Sequence, residues 1–330
     1  MRTWQLRGPA GNSSPARGAS GRVPRRGWPT AVGGVLTLLF FLVVPLTGNG
    51  AEHALVFQTD FGLKDGAVAA MRGVAVGVDP RIVIHDLSQE NTPFNIWEGA
   101  YRLKQAAPFW PKGTVFVSVI DPGVGTARKS IVAKTESGHY FVTPDNGTLT
   151  LVAEELGLAA VREIDETRHR REGSNRSYTF DGRDIFALVG ARLAAGGLAF
   201  EDVGPVLGSK IVLLAHPQPR REGDTLVGTI PFLDFQFGNV WTDLNESLFA
   251  QLAPKIGESF RVTISWEDRT VFTGMLRYAR TFGDMAEGAP LLYLNSLMNV
   301  SFALSRGDFA RTHGIACGVG WNVRVEKNKP

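Results

Sequence analysis

From Ala54 to about Gly204, short β-branched and apolar runs alternate with helical patterns, and this alternation restricts the possible folds more than any other feature of the chain. It predicts strands over 54–58 (ALVFQ), 81–85, 114–120 (TVFVSVI), 131–134 and 140–143. Helices are expected over 66–77, 95–107, 148–156 and 184–195, the last closed by Gly196-Gly197 as a C-cap. Strands and helices in this order give an α/β N-terminal domain, a mostly parallel sheet with helices on both faces. After Gly204 the texture changes. Short runs over 210–215, 225–231, 238–242, 259–266, 270–275, 291–294, 300–304 and 319–325 are punctuated by Gly, Asn, Asp and Pro. That spacing fits a smaller antiparallel barrel or sandwich. With HPQPRREGD (216–224) as the linker, the expected division is 52–215 for the α/β domain and 216–330 for the β domain.

The formal net charge of +3 raises the question of nucleic-acid binding, and the location of the charge answers it. Residues 1–50 hold six arginines and no lysine, aspartate or glutamate, which leaves 29 basic against 32 acidic residues in 51–330. The body is mildly acidic, so no nucleic-acid partner is expected. Arg25-Arg26 lead into the uncharged run AVGGVLTLLFFLVVPL (31–46), followed by small residues. A basic flank, an apolar core and small residues read as a signal peptide or N-terminal anchor over 1–51, cleavable near Gly50 or Ala51. The expected location is exported, periplasmic or extracellular, or membrane-anchored facing out. A single cysteine, Cys317, rules out a disulfide framework, and no two histidines stand at metal-ligand spacing, so no metal site is expected. With no Gly-x-Ser-x-Gly elbow, acyl transfer through a serine is disfavoured.

Acidic residues beside glycine recur where an open α/β sheet places its ligands, at the carboxyl ends of strands. Asp60, in Thr59-Asp60-Phe61-Gly62, follows ALVFQ, and a carboxylate there can accept from both hydroxyls of a vicinal diol. Asp121 opens Asp121-Pro122-Gly123-Val124-Gly125-Thr126-Ala127-Arg128 after TVFVSVI; its glycines permit close backbone approach, and Arg128 can return to pair with it. Pro144-Asp145-Asn146-Gly147 has the composition of a turn. Thr179-Phe180-Asp181-Gly182-Arg183-Asp184 opens a helix, where Asp181 or Asp184 can act as a cap. In the second domain Asp234 and Asn239 flank a glycine, and Asn295-Ser296 closes a later strand. Taken singly, each also reads as a turn or a cap.

As an ordered set, TDFG, DPGVGTxR, PDNG, TFxGRDIFA, DxxFGN and NS resemble the S-adenosylmethionine hydroxide adenosyltransferase family, relatives of the fluorinase and chlorinase, from about Ala54 to Val325. The resemblance implies an α/β domain, a C-terminal β-barrel and a homotrimer with sites between neighbouring subunits. The implied reaction is attack of water or hydroxide on the ribose C5′ of S-adenosylmethionine, a substrate rather than a cofactor, releasing adenosine and methionine. By position, Asp60 would hold the ribose diol, Phe94 and Phe180 would wall the ribose and sulfonium, Asp234 and Ser296 would hold the amino-acid end, and Asn239 would read the adenine edge. Asp121 and Arg128 match two members of the family's Asp-Arg-His water-positioning triad. The third position departs from the pattern: Asp181 stands where the family has histidine, which adds a like charge near Asp121. Asp243 and Met298 depart as well, standing where the family usually has Asn and Gly. The expectation is a hydrolase with Asp121, Arg128 and Asp181 at its centre. The rivals are a halogenase, disfavoured because the Asp121 carboxylate would repel a halide, and a non-catalytic exported nucleoside or sulfonium binder.

Overall fold

The computed structural model describes residues 54–208 and 210–327. The signal peptide or anchor expected over 1–51 lies outside them. Among the described residues, no helix is long and apolar enough to cross a membrane. The first domain is a seven-stranded sheet of β1 (Leu55–Thr59), β2 (Ile84–Ser88), β3 (Val115–Val119), β4 (Ser130–Thr135), β5 (Tyr140–Pro144), β6 (Leu158–Glu163) and β7 (Val206–Gly208), in the order β2-β1-β3-β5-β4-β6-β7. β2, β1, β3 and β5 are parallel; β4 runs antiparallel between β5 and β6, and β7 is antiparallel to β6.

The helices are α1 (Ala67–Val78), α2 (Ile96–Ala106), α3 (Thr150–Leu156), the single turn α4 (Glu166–His169) and α5 (Ala187–Ala194). The two-residue period of the strands sorts side chains between two cores. Leu55, Phe57, Val115 and Val117 pack with Met71 of α1 and Val189 of α5, while Val56, Phe116 and Phe141 pack with Leu103 of α2 and Val152 of α3. Complete burial of a side chain such as Phe57 stabilises by about 1.5–3 kcal/mol. α2 starts where Asn95 accepts from the Glu98 N–H, so the predicted start at residue 95 is its N-cap.

Two predicted strands fall differently. The apolar stretch 81–85 is replaced by β2, three residues later, because Leu55 pairs with Ile84 and Gln89 beyond the strand end donates to the Phe57 carbonyl. Residues 210–215 form no strand: the backbone N–H groups of Val212 and Leu214 donate to the side chains of Asp145 and Thr150 at 2.8 Å each, not to a ladder.

The second domain holds β8 (Arg220–Glu222), β9 (Thr225–Thr229), β10 (Phe232–Asp234), β11 (Asn239–Asn245), β12 (Ser259–Trp266), β13 (Arg269–Tyr278), β14 (Pro290–Leu294), β15 (Asn299–Leu304) and β16 (Trp321–Lys327). They form one sheet, β10-β11-β15-β14-β13-β12-β16-β9-β8, antiparallel except where β13 meets β14. The expected barrel is not closed by a ladder. Instead Asp243 of β11 reaches β9, its carboxylate accepting from Thr229 N and Thr229 Oγ1 at 2.7 Å each. The approach requires Gly228, where a Cβ would lie 2.2 Å from the Asp243 Oδ1. The domains meet where Tyr101 of α2 stacks on Phe232 of β10 at 4.6 Å and Trp97 Nε1 donates to the Pro231 carbonyl.

Candidate active site

The carboxyl ends of the adjacent strands β1 and β3 deliver the predicted acidic residues to one edge of the first sheet. Past β1, Asp60 Oδ2 accepts from the Phe94 N–H at 2.8 Å. Phe94 takes a left-handed φ of 67°, unusual for a bulky residue, and its ring stands 71% exposed. Past β3, Asp121 turns on Pro122 and accepts from the Gly123 N–H. The loop then returns Arg128, whose Nε and Nη2 both bond the Asp121 carboxylate, at 3.0 Å and 2.6 Å to Oδ2. This is the pairing anticipated from the spacing.

Asp181 reaches the same guanidinium from the far side. It sits at the mouth of a single π-helical turn, Gly182–Phe186, that leads into α5, and its Oδ2 lies 2.6 Å from Arg128 Nη2. One Nη2 thus bridges two carboxylates, and the Arg128 plane lies over the Phe186 ring. The three side chains are between 5% and 10% exposed, so the charges interact through protein rather than water. Burial works against the Arg128 charge, but the hydrogen bonds and charges of Asp121 and Asp181 outweigh it and raise the Arg128 pKa. Phe61 meets Phe180 edge-on at 5.8 Å and lies against Gly182, which ties the Asp60 loop to the Asp181 turn.

Beyond this centre, Arg170 and Glu166 add two more charges that the spacing did not reveal. Arg170 Nη2 contacts Asp181 Oδ1 at 3.0 Å and Glu166 Oε2 at 2.9 Å. Ser130 Oγ accepts from Arg128 Nη1 and donates to Glu166 Oε1, both at 2.8 Å, which closes a ring of contacts. The only sequence signal is the run Arg168-His169-Arg170-Arg171, and nothing in it singles out one arginine.

Two other motifs are structural. Asn146 ties down the end of β3 by donating to the Ile120 carbonyl, and Asp145 holds Val212. Asp184 is held between Arg171 and Arg183.

The remaining predicted residues gather elsewhere. Asp234, Asn239 and Ser296 line a cavity of about 780 Å³ in the second domain, with Phe282, Tyr293 and Arg306. Asn239 Nδ2 donates to Asp234 Oδ2 at 3.0 Å, and burial pushes the Tyr293 hydroxyl up to about 12. Asn295, on the same wall, spends its carbonyl on Leu297 N and Asn299 N, leaving a buried Nδ2 with no partner. None of Asp60, Phe94, Asp121, Arg128, Phe180 and Asp181 lines this cavity. Within one chain the candidate site therefore stands as two separate halves. Of the two departures in the second domain, Asp243 faces Thr229 and lies off the cavity wall, while Met298 occupies the turn after Ser296 at φ 58°.

Both domains have counterparts among known proteins. Residues 55–204 match the model of the SAM hydroxide adenosyltransferase N-terminal domain, and residues 228–322 match that of the C-terminal domain. An (R)-S-adenosyl-L-methionine hydrolase from Salinispora tropica is 38% identical over 264 residues, covering 79% of this chain and 94% of that protein. A fluorinase from Nocardia brasiliensis is 28% identical over 304 residues, covering 84% and 99%. A crystal structure of an uncharacterized conserved protein from Thermotoga maritima superposes with a TM-score of 0.77 at 35% identity, covering 83% of this chain and all of that one. The chain belongs to the SAM hydroxide adenosyltransferase family.

Proposed function

We propose that this protein hydrolyses S-adenosylmethionine to adenosine and methionine by a single displacement at the ribose C5′. The observation that carries the reading is the buried Asp121–Arg128–Asp181 cluster beside Asp60 at the carboxyl ends of β1 and β3. A sulfonium is already activated to leave as a neutral thioether, so the chemistry calls for neither a metal nor a general acid. It needs a water held in line with the C5′–S bond, anchors at both ends of the substrate, and a dry site. In this reading Asp60 holds the ribose diol, Phe94 and Phe180 wall the sulfonium, and the cluster orients the water. A water oxygen bonds to C5′ as the C5′–S bond breaks, and the proton it sheds passes to the carboxylate cluster and solvent.

The Asp121 carboxylate favours water over a halide, which it would repel at the point of attack. The second-domain cavity would hold the rest of the substrate, with Asp234 and Ser296 on the amino-acid end and Asn239 on the adenine edge. Because the two halves are separate within one chain, we read the working form as a homotrimer whose sites lie between neighbours. We also propose an exported location, on the support of the basic flank and apolar run in residues 1–50.

Incubating the protein with S-adenosylmethionine and separating the products tests the activity. Adenosine and methionine should appear in equal amounts, and Asp121→Ala should slow their release by about a hundredfold or more, the scale of losing a group that handles the reacting proton. Tight binding without product would favour the non-catalytic binder.

A further inference from the structure

Asp181 brings a second buried carboxylate to Arg128, and Arg170 is the feature that answers it. Left with Arg128 alone, Asp121 and Asp181 would compete for one cation across a few ångströms of protein. The result would be a net negative site that repels hydroxide and pulls the guanidinium off Asp121. Arg170 removes that competition. Its Nη2 takes the Asp181 Oδ1 at 3.0 Å, which leaves only Oδ2 for Arg128. Arg170 is itself 10% exposed, fixed by Glu166 and laid over the Tyr178 ring at 4.7 Å. Its Nη1 is buried with no hydrogen-bond partner. An arginine kept for hydrogen-bond satisfaction would not leave a buried donor idle, so the charge paired with Asp181 is the better account of its burial.

On the hydrolase reading above, we propose that Arg170 is a positioning residue that works only together with Asp181. The pair takes the place of the single side chain at the third position of the water-positioning cluster. Arg170, shared with Glu166, holds one oxygen of Asp181 and offsets its charge, and Asp181 in turn fixes Arg128 against Asp121. The pair is therefore an exchange unit: neither half is useful without the other. Asp181→His, which puts the histidine of the family pattern at this position, places an imidazole against two guanidinium groups and leaves Arg170 with Glu166 alone.

The test is a double-mutant cycle on the full chain with S-adenosylmethionine as substrate, comparing wild type, Asp181→His, Arg170→Leu and the double variant, with Arg170→Lys as a conservative control. Each single change should lower kcat about tenfold or more, because each takes one partner from a buried charge network and leaves the remaining charges unevenly matched. The double variant should recover above both single variants. The loss in Arg170→Leu should fall on kcat more than on KM, and Arg170→Lys should regain much of it by keeping the charge. A purely structural arginine would not split the constants in this way. Wild-type turnover with Asp181→His as fast as wild type, or with a double variant no better than the better single one, overturns the proposal. If the wild type releases no adenosine, the hydrolase reading fails instead. The pairing is then decided by substrate affinity across the same four proteins: non-additive Kd changes support it and additive ones overturn it.

Discussion

Two aspartates stand where the family pattern has another residue, and their surroundings give them different work. Asp181 is drawn into the charge cluster, between Arg128 and Arg170. Asp243 instead closes the seam of the second sheet on Thr229, and burial raises its pKa despite the two hydrogen bonds it accepts. A carboxyl group whose folded pKa is raised costs the fold stability once pH favours its ionised form in the unfolded chain. The penalty is absent below the unfolded value of about 3.9, grows as pH rises from there to the folded value, and is complete above it. Asp243→Asn keeps an acceptor for the Thr229 N–H and offers a donor to Thr229 Oγ1. The variant should therefore melt higher than wild type near neutral pH, with the gain fading toward about pH 4. Thermal melts at the two pH values check this, and an equal shift at both would show that the charge is not the cause.

At the scale of elements, turns decide where side chains point. The turn Asn295–Met298 is closed by Met298 N donating to the Asn295 carbonyl, and it forces Met298 to φ 58°, a conformation that costs a side-chain-bearing residue energy and glycine almost none. Met298→Gly should stabilise the domain by about 0.5–1 kcal/mol, after allowing for the freedom glycine adds to the unfolded chain, as read by denaturant melts. Local pairings of this kind are legible in sequence. The seven-residue return from Asp121 to Arg128 places both ends at one strand terminus, and the Asn95–Glu98 cap can be read from spacing alone. Pairings made across the fold are not. Arg170 meets Asp181 only because α4 and the π-turn come together, and nothing in a basic run shows which arginine is buried. Residues 210–215 look like a strand because they are apolar, yet their backbone donors find Asp145 and Thr150, more than sixty positions away in sequence. The strand β6 leaves little trace in the sequence for the opposite reason, since its half-exposed side chains carry little hydrophobic alternation.

In the whole molecule, the Asp121–Arg128–Asp181 cluster belongs to the first domain and the cavity with Asp234, Asn239 and Ser296 to the second, and none of the three cluster residues lines that cavity. Sites completed between subunits should show complementation. Co-expressed Asp121→Ala and Asp234→Ala chains, each inactive alone, should recover part of the activity in mixed assemblies, and no recovery would place the whole site within one chain. The mildly acidic body suits a cationic sulfonium, since the six arginines of residues 1–50 account for the positive formal charge of the chain. If water held by Asp121, Arg128 and Asp181 attacks C5′, turnover of S-adenosylmethionine in oxygen-18 water must label the adenosine released, as read by mass spectrometry. One labelled oxygen is expected, located at the 5′-hydroxyl and formed in step with methionine; adenosine without the label, or no adenosine at all, rules this displacement out.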